Sequence, residues 1–186
     1  AFEGCSSLTS IVIPDSVTSI GYYTFEGCSM LTNITIPNSV TSIEHCTFHG
    51  CSRLENITIH DSVTTIGHFA FKDCASLTSI TIPEGVTSIG TGAFSGCSRL
   101  KRVNISNLSA WCKISLDGNY NYHGSSNPLC NGADLYINNK LATDVVISSD
   151  ITSVNPYLFH GCTSIRNVVI PEGVTSIGEY AFSGCS

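Results

Sequence analysis

Apolar residues along the chain follow a short-range rhythm that repeats as a unit. In the first complete unit Leu8, Ile11 and Ile13 precede Pro14, Val17 and Ile20 follow it, and polar residues fill most places between. Ile11-Val12-Ile13 predicts a short strand, because successive strand side chains point to opposite faces. Pro14 cannot donate to a strand ladder and ends the strand. Asp15-Ser16 is turn chemistry. Val17 to Ile20, with its apolar residues three apart, predicts a second extended segment on an opposite wall. Gly21 breaks that segment, and Phe25, Gly27 and Cys28 close the unit.

The unit recurs at a constant step along the chain. Phe2, Phe25, Phe48, Phe71 and Phe94 keep that step, as do Cys5, Cys28, Cys51, Cys74 and Cys97. Phe159/Cys162 and Phe182/Cys185 resume it after an interruption. A fixed period of this length predicts a solenoid. One unit alone buries too few side chains to offset the entropy of ordering its backbone; stacked units cover each other's open faces.

The pattern L-x-x-I-x-I-P-x-x-V-x-x-I-G-x-x-A-F-x-x-C is carried in full by Leu77, Ile80, Ile82, Pro83, Val86, Ile89, Gly90, Ala93, Phe94 and Cys97. It resembles the BspA-like leucine-rich-repeat family, with regular copies over 1–105 and 145–186. The resemblance implies an all-β solenoid of leucine-rich-repeat type, with a parallel sheet on the concave side and short extended or 3₁₀ segments on the convex side. Seven to eight coils are expected, in one domain over 1–186. It also implies a protein secreted from or displayed on a cell, adhering to an extracellular or host protein, with no catalytic residues to carry over. Neither end offers the polar cap that solenoids need. The chain therefore reads as a segment of a longer array whose open ends allow end-to-end self-association.

Residues 106–144 interrupt the pattern. Leu108 to Cys112 predicts a short turn that packs Trp111 down, Ile114 and Leu116 a strand, and Asp117 to Asn127 an exposed loop. Leu135-Tyr136-Ile137 reads as a degenerate repeat followed by a turn at Asn138-Asn139. The stretch is a variant repeat and not a second domain.

Composition narrows the function. The net charge of −6 over 186 residues argues against nucleic acid or an anionic membrane as partner, and no apolar run is long enough to insert into a bilayer. Of ten cysteines, seven share one column, where stacked side chains run parallel and do not face each other as a disulfide requires. They read as buried thiols acting as small hydrophobes. Cys46, aligned with Tyr23, Phe69, Tyr157 and Tyr180, reads as another inward filler; Cys112 and Cys130 alone are placed to pair with each other.

The expected binding surface is the outward face of the first strands: Asn33 and Thr35, Asn56 and Thr58, Ser79 and Thr81, then Arg102 and Asn104. Arg99, Lys101 and Arg102 beside Trp111 form a basic-aromatic cluster suited to a partner's acidic group, with Tyr120 and Tyr122 of the loop added. The competing reading of that cluster is solvated charge at a repeat junction. His45 and His68 share a column, but no third metal ligand is evident. The chain has no G-x-S-x-G, H-E-x-x-H or phosphate-binding glycine loop, and the turn carboxylates Asp15, Asp61, Glu84 and Glu172 lack the contrasting environments that acid–base catalysis needs. No enzyme activity and no cofactor are expected. Asn-x-Ser/Thr triplets such as Asn33-Ile34-Thr35 arise by chance in so Ser/Thr-rich a chain. Two alternatives to adhesion are a structural spacer without its own ligand, and ice binding through Thr35, Thr58 and Thr81, a ladder that Asn104 and Val169 interrupt.

Overall fold

Most units contribute two short strands, one on either side of a turn; the first unit, Leu8 to Ile20, joins the first wall only through a bridge from Ser10 to Asn33. The computed structural model describes residues 1–117 and 126–185. On the first wall lie β1 (Asn33–Thr35), β3 (Asn56–Thr58), β5 (Ser79–Thr81), β7 (Arg102–Ile105), β9 (Asp134–Ile137), β11 (Asp144–Val146) and β13 (Asn167–Val169). On the second wall lie β2 (Ser42–Ile43), β4 (Thr65–Ile66), β6 (Ser88–Ile89), β8 (Ser115–Leu116), β12 (Ser153–Val154) and β14 (Ser176–Ile177). Equivalent strands pair in parallel and in register, Ile34 with Ile57 on the first wall and Ile43, Ile66, Ile89 and Leu116 in sequence on the second. The result is a parallel-strand β-solenoid with, among the described residues, one five-residue helix, α1 (Leu108–Cys112).

The core is built of columns. Phe2, Phe25, Phe48, Phe71 and Phe94 stack with nearly parallel planes and centroids 5.4–5.5 Å apart, and Phe159 and Phe182 repeat the arrangement at 5.2 Å. Beside them four successive column thiols donate to the carbonyl of the preceding coil's phenylalanine: Cys28 to Phe2, Cys51 to Phe25, Cys74 to Phe48 and Cys97 to Phe71, at 3.1–3.2 Å. Burial pushes the thiols of Cys51 and Cys97 up to about 12. The cysteines are therefore small apolar fillers that also satisfy a buried carbonyl.

The interruption is resolved in two parts. Arg102 pairs with Asp134, well beyond the one regular step that separates Ser79 from Arg102. Part of the extra length falls before β8: Ile43, Ile66 and Ile89 keep the regular step, but Leu116, the partner of Ile89, comes later than that step requires. The helix α1 takes up this length. Asn107 caps α1, its side-chain oxygen accepting from the Ala110 N–H at 3.1 Å, and Trp111 and Cys112 turn into the core at 1% and 2% exposure. Then β9 folds back as β10 (Lys140–Leu141), the one antiparallel pair in the described sheets. Asn138 and Asn139, at φ 50° and 63°, form the turn, as a two-residue hairpin with both central residues left-handed requires. The first wall is thus divided: β10 closes one sheet and β11 opens the next.

Three expectations are corrected. The second wall holds six strands among the described residues, hence about six turns and not seven to eight, because residues 106–144 lengthen one coil and insert a hairpin without adding coils. The Cys46 column is not a set of inward fillers. Tyr23, Cys46, Phe69, Tyr157 and Tyr180 occupy a left-handed turn, φ 53–60°, and while Cys46 is buried, Tyr23 and Tyr180 are 40% and 58% exposed. Cys112 and Cys130 do not pair: all ten cysteines are free.

Candidate functional site

Strand register fixes two outward columns on the first wall. One runs Asn33, Asn56, then Ser79, Arg102, Asp134; the other Thr35, Thr58, then Thr81, Asn104, Tyr136. In the early coils these residues are small, polar and exposed, and they satisfy one another: Asn56 Nδ2 donates to Asn33 Oδ1 at 3.1 Å. At β7 the character changes.

Arg102 is held on three sides. Its guanidinium lies 3.8 Å from the centroid of the Tyr136 ring. Its Nε donates to Asn104 Oδ1 at 2.7 Å, and its Nη2 to Asn139 Oδ1 at 3.2 Å. The hairpin supplies two of these three contacts, so the inserted turn is what orders the arginine. A guanidinium pinned by stacking and hydrogen bonds meets a partner carboxylate with little further loss of side-chain entropy. The hairpin also exposes an apolar side chain, and the separate β11–β13 pair exposes two more. Leu141 pairs across the hairpin with Tyr136 and Val146 pairs with Val169; their exposures are 46%, 63% and 57% for Leu141, Val146 and Val169. Asp144 belongs to the β11–β13 pair, and hydrogen bonds from Thr143 first and Asn167 next hold its carboxyl below the usual range.

The structure brings some predicted residues together and separates others. Asn33, Thr35, Asn56, Thr58, Ser79, Thr81, Arg102 and Asn104 share one face. Arg99 and Lys101 are exposed near it, Lys101 Nζ reaching the Asn131 carbonyl at 3.4 Å. Trp111 is a correction: at 1% exposure it offers no ring to a partner. Its Nε1 is buried without a hydrogen-bond partner; it serves the core of the long coil. Lys113, close to Trp111 in sequence, is engaged elsewhere: its Nζ is 2.6 Å from Asp150 Oδ2. That contact, then hydrogen bonds from Ser148 and Ser109, holds the Asp150 carboxyl well below the usual carboxylate range. Tyr120 and Tyr122 lie outside the described residues. No group of three or more His, Cys, Asp or Glu among the described residues is placed to hold a metal ion. No described helix is long and apolar enough to cross a membrane.

Sequence reading missed Tyr136, Asn139, Leu141 and Val146. The signal was present: Asn138-Asn139 between Leu135-Tyr136-Ile137 and Lys140-Leu141 is a two-residue hairpin pattern.

Comparison with known proteins agrees with this architecture. A model of the BspA type leucine rich repeat region matches six copies, over residues 1–121 and 132–186. A leucine rich repeat protein of T. pallidum is 26% identical, with a TM-score of 0.63 over 94% of this chain and 75% of its own. One from Bacteroides ovatus is 29% identical, with a TM-score of 0.51 over 100% of this chain and 66% of its own. A leucine rich cell surface protein of Faecalibacterium prausnitzii is 33% identical, with a TM-score of 0.55 over 99% of this chain but only 47% of its own. No curated protein matches the chain.

Proposed function

Because the chain belongs to the BspA-type leucine-rich-repeat family, we propose that it is a non-enzymatic binding module that adheres to a protein partner at the cell surface or outside the cell. The surface location follows the description of the F. prausnitzii protein as a cell surface protein. The observation that carries the reading is the patch at β7, β9 and β10. An arginine stacked on Tyr136 and tied to Asn104 and Asn139 stands beside the hairpin's exposed Leu141. Arg and Tyr anchors next to apolar contacts are the composition of binding hot spots. The partner segment that fits presents a carboxylate to Arg102 and an aliphatic side chain to Leu141.

The regular coils favour a second role for their own part of the chain. Their Asn33–Asn56 ladder bonds internally and leaves few unpaired groups for a ligand, which suits a spacer. The experiment is saturable binding to immobilised extracellular-matrix and serum proteins, with Arg102→Ala alongside. Loss of a hot-spot residue costs about 2 kcal/mol or more, so Arg102→Ala is expected to weaken binding at least tenfold. Absence of saturable binding to any of them overturns the adhesion reading and leaves the spacer.

A further inference from the structure

The second wall carries a different feature. The residue after the apolar strand position is Glu44 beside β2, Gly67 beside β4, Gly90 beside β6 and Asp117 beside β8. Glycine is required at the two middle places. A Cβ on Gly67 would lie 2.7 Å from the Glu44 carbonyl carbon, and one on Gly90 2.5 Å from the His68 nitrogen. The bare backbone of these two coils forms the floor of an open groove of about 490 Å³. Three strand steps separate its two carboxylates, or about 14 Å at the usual spacing.

The walls of the groove are chemically one-sided. Tyr22, 65% exposed, stands at one end, and the Tyr23 ring meets His45 edge-on at 5.1 Å. The imidazoles of His45 and His68 follow along the rim, 6.3 Å apart. His68 Nδ1 accepts the Thr91 N–H at 2.9 Å, which leaves Nε2 facing Asp117 Oδ2 at 3.9 Å, with both side chains about half exposed. Glu44 Oε1 accepts from Ser42. Among the described residues the lining contains two carboxylates and two tyrosines and neither Lys nor Arg.

We propose that this groove is a second binding site, on the opposite wall from the Arg102 patch, for an extended peptide segment bearing two basic side chains. An ammonium at each end would meet a carboxylate, and the Tyr22 face adds a cation–π contact. In an extended strand, residues four apart point the same way and lie about 13–14 Å apart, so the matching sequence is Lys-x-x-x-Lys. A negative groove on a chain of net charge −6 also attracts such a segment from a distance.

The test uses the capped peptide Lys-Thr-Gly-Thr-Lys and its Gln-Thr-Gly-Thr-Gln counterpart, with the imidazole resonances of His45 and His68 followed by NMR. The expected result is saturable shifts at both histidines with the lysine peptide alone. Exposed ion pairs are worth about 0.2–1 kcal/mol each, so Glu44→Gln and Asp117→Asn should each weaken binding roughly 1.4–5-fold, and the double variant roughly 2–25-fold. His49, which contacts Glu26 and Asp73 away from the groove, should not move. Equal binding of the glutamine peptide, undiminished binding in the folded double variant, or no shift at either histidine overturns the proposal. None of these outcomes bears on the Arg102 patch, which Arg102→Ala tests separately.

Discussion

Truncating a ring in the middle of the phenylalanine stack should cost far more than truncating one at its end. Phe71 is fully buried and sits between Phe48 and Phe94, with centroids 5.5 and 5.4 Å away. Phe→Ala in such a position typically costs about 3–5 kcal/mol, covering lost transfer energy and the cavity left behind. The cavity cannot close cheaply, because the coils on both sides are fixed by their strand ladders. A chain of this size loses about 2–4 °C of melting temperature per kcal/mol, so Phe71→Ala should lower Tm by about 6–20 °C. Phe2 has one ring neighbour and is 37% exposed; Phe2→Ala should cost about 1 kcal/mol or less. Circular-dichroism melts and urea titrations of the two variants give the comparison. Equal losses, or a loss below about 1 kcal/mol for Phe71→Ala, would refute the argument that each coil is stabilised by both of its neighbours.

Other consequences are open to measurement. Ellman's reagent should titrate Cys5, the one exposed thiol, well before the rest, and all ten cysteines only in denaturant, because burial raises Cys51, Cys97 and Cys112 to about 12 and suppresses the reactive thiolate; several fast thiols in the native state would contradict the buried ladder. Gly90→Ala places a methyl against the His68 and Gly67 backbone and should cost about 1–3 kcal/mol by overpacking, read as a shifted urea midpoint with an unchanged slope. The folded-state pKa of Asp150 is depressed, so its contribution to stability is present above the unfolded value of about 3.9 and is lost as pH falls through the lower folded one. Its carboxyl ¹³C resonance should therefore titrate at lower pH than an unstructured aspartyl peptide, and Lys113→Met should move that midpoint upward.

Most of the architecture was legible because it repeats. Ile11-Val12-Ile13, Pro14 and Phe25 each recur in phase, and a solenoid leaves such columns one arrangement. The turn column was harder. Tyr23 and Phe69 look like core residues by composition, yet their backbone is left-handed, and only Gly92 in the same place hints at it. At the candidate site the strand residues Asn33 to Asn104 could be placed on one face because they share a register. The sequence places Trp111 both in a turn that packs it down and in the basic cluster; its burial bears out the first reading and removes it from the second. The patch around Arg102 stayed hidden because three of its members, Tyr136, Asn139 and Leu141, lie far along the chain and reach it only through the hairpin.

The central claim is that adhesion resides at the hairpin patch and not in the regular coils. The most direct test compares an Arg102→Ala/Leu141→Ser variant with an Asn33→Ala/Asn56→Ala variant, both confirmed as folded, for binding to whichever extracellular protein the unmodified chain captures. The account predicts binding lost in the first and kept within about twofold in the second. Binding kept in the first and lost in the second would place the site on the polar ladders and contradict it.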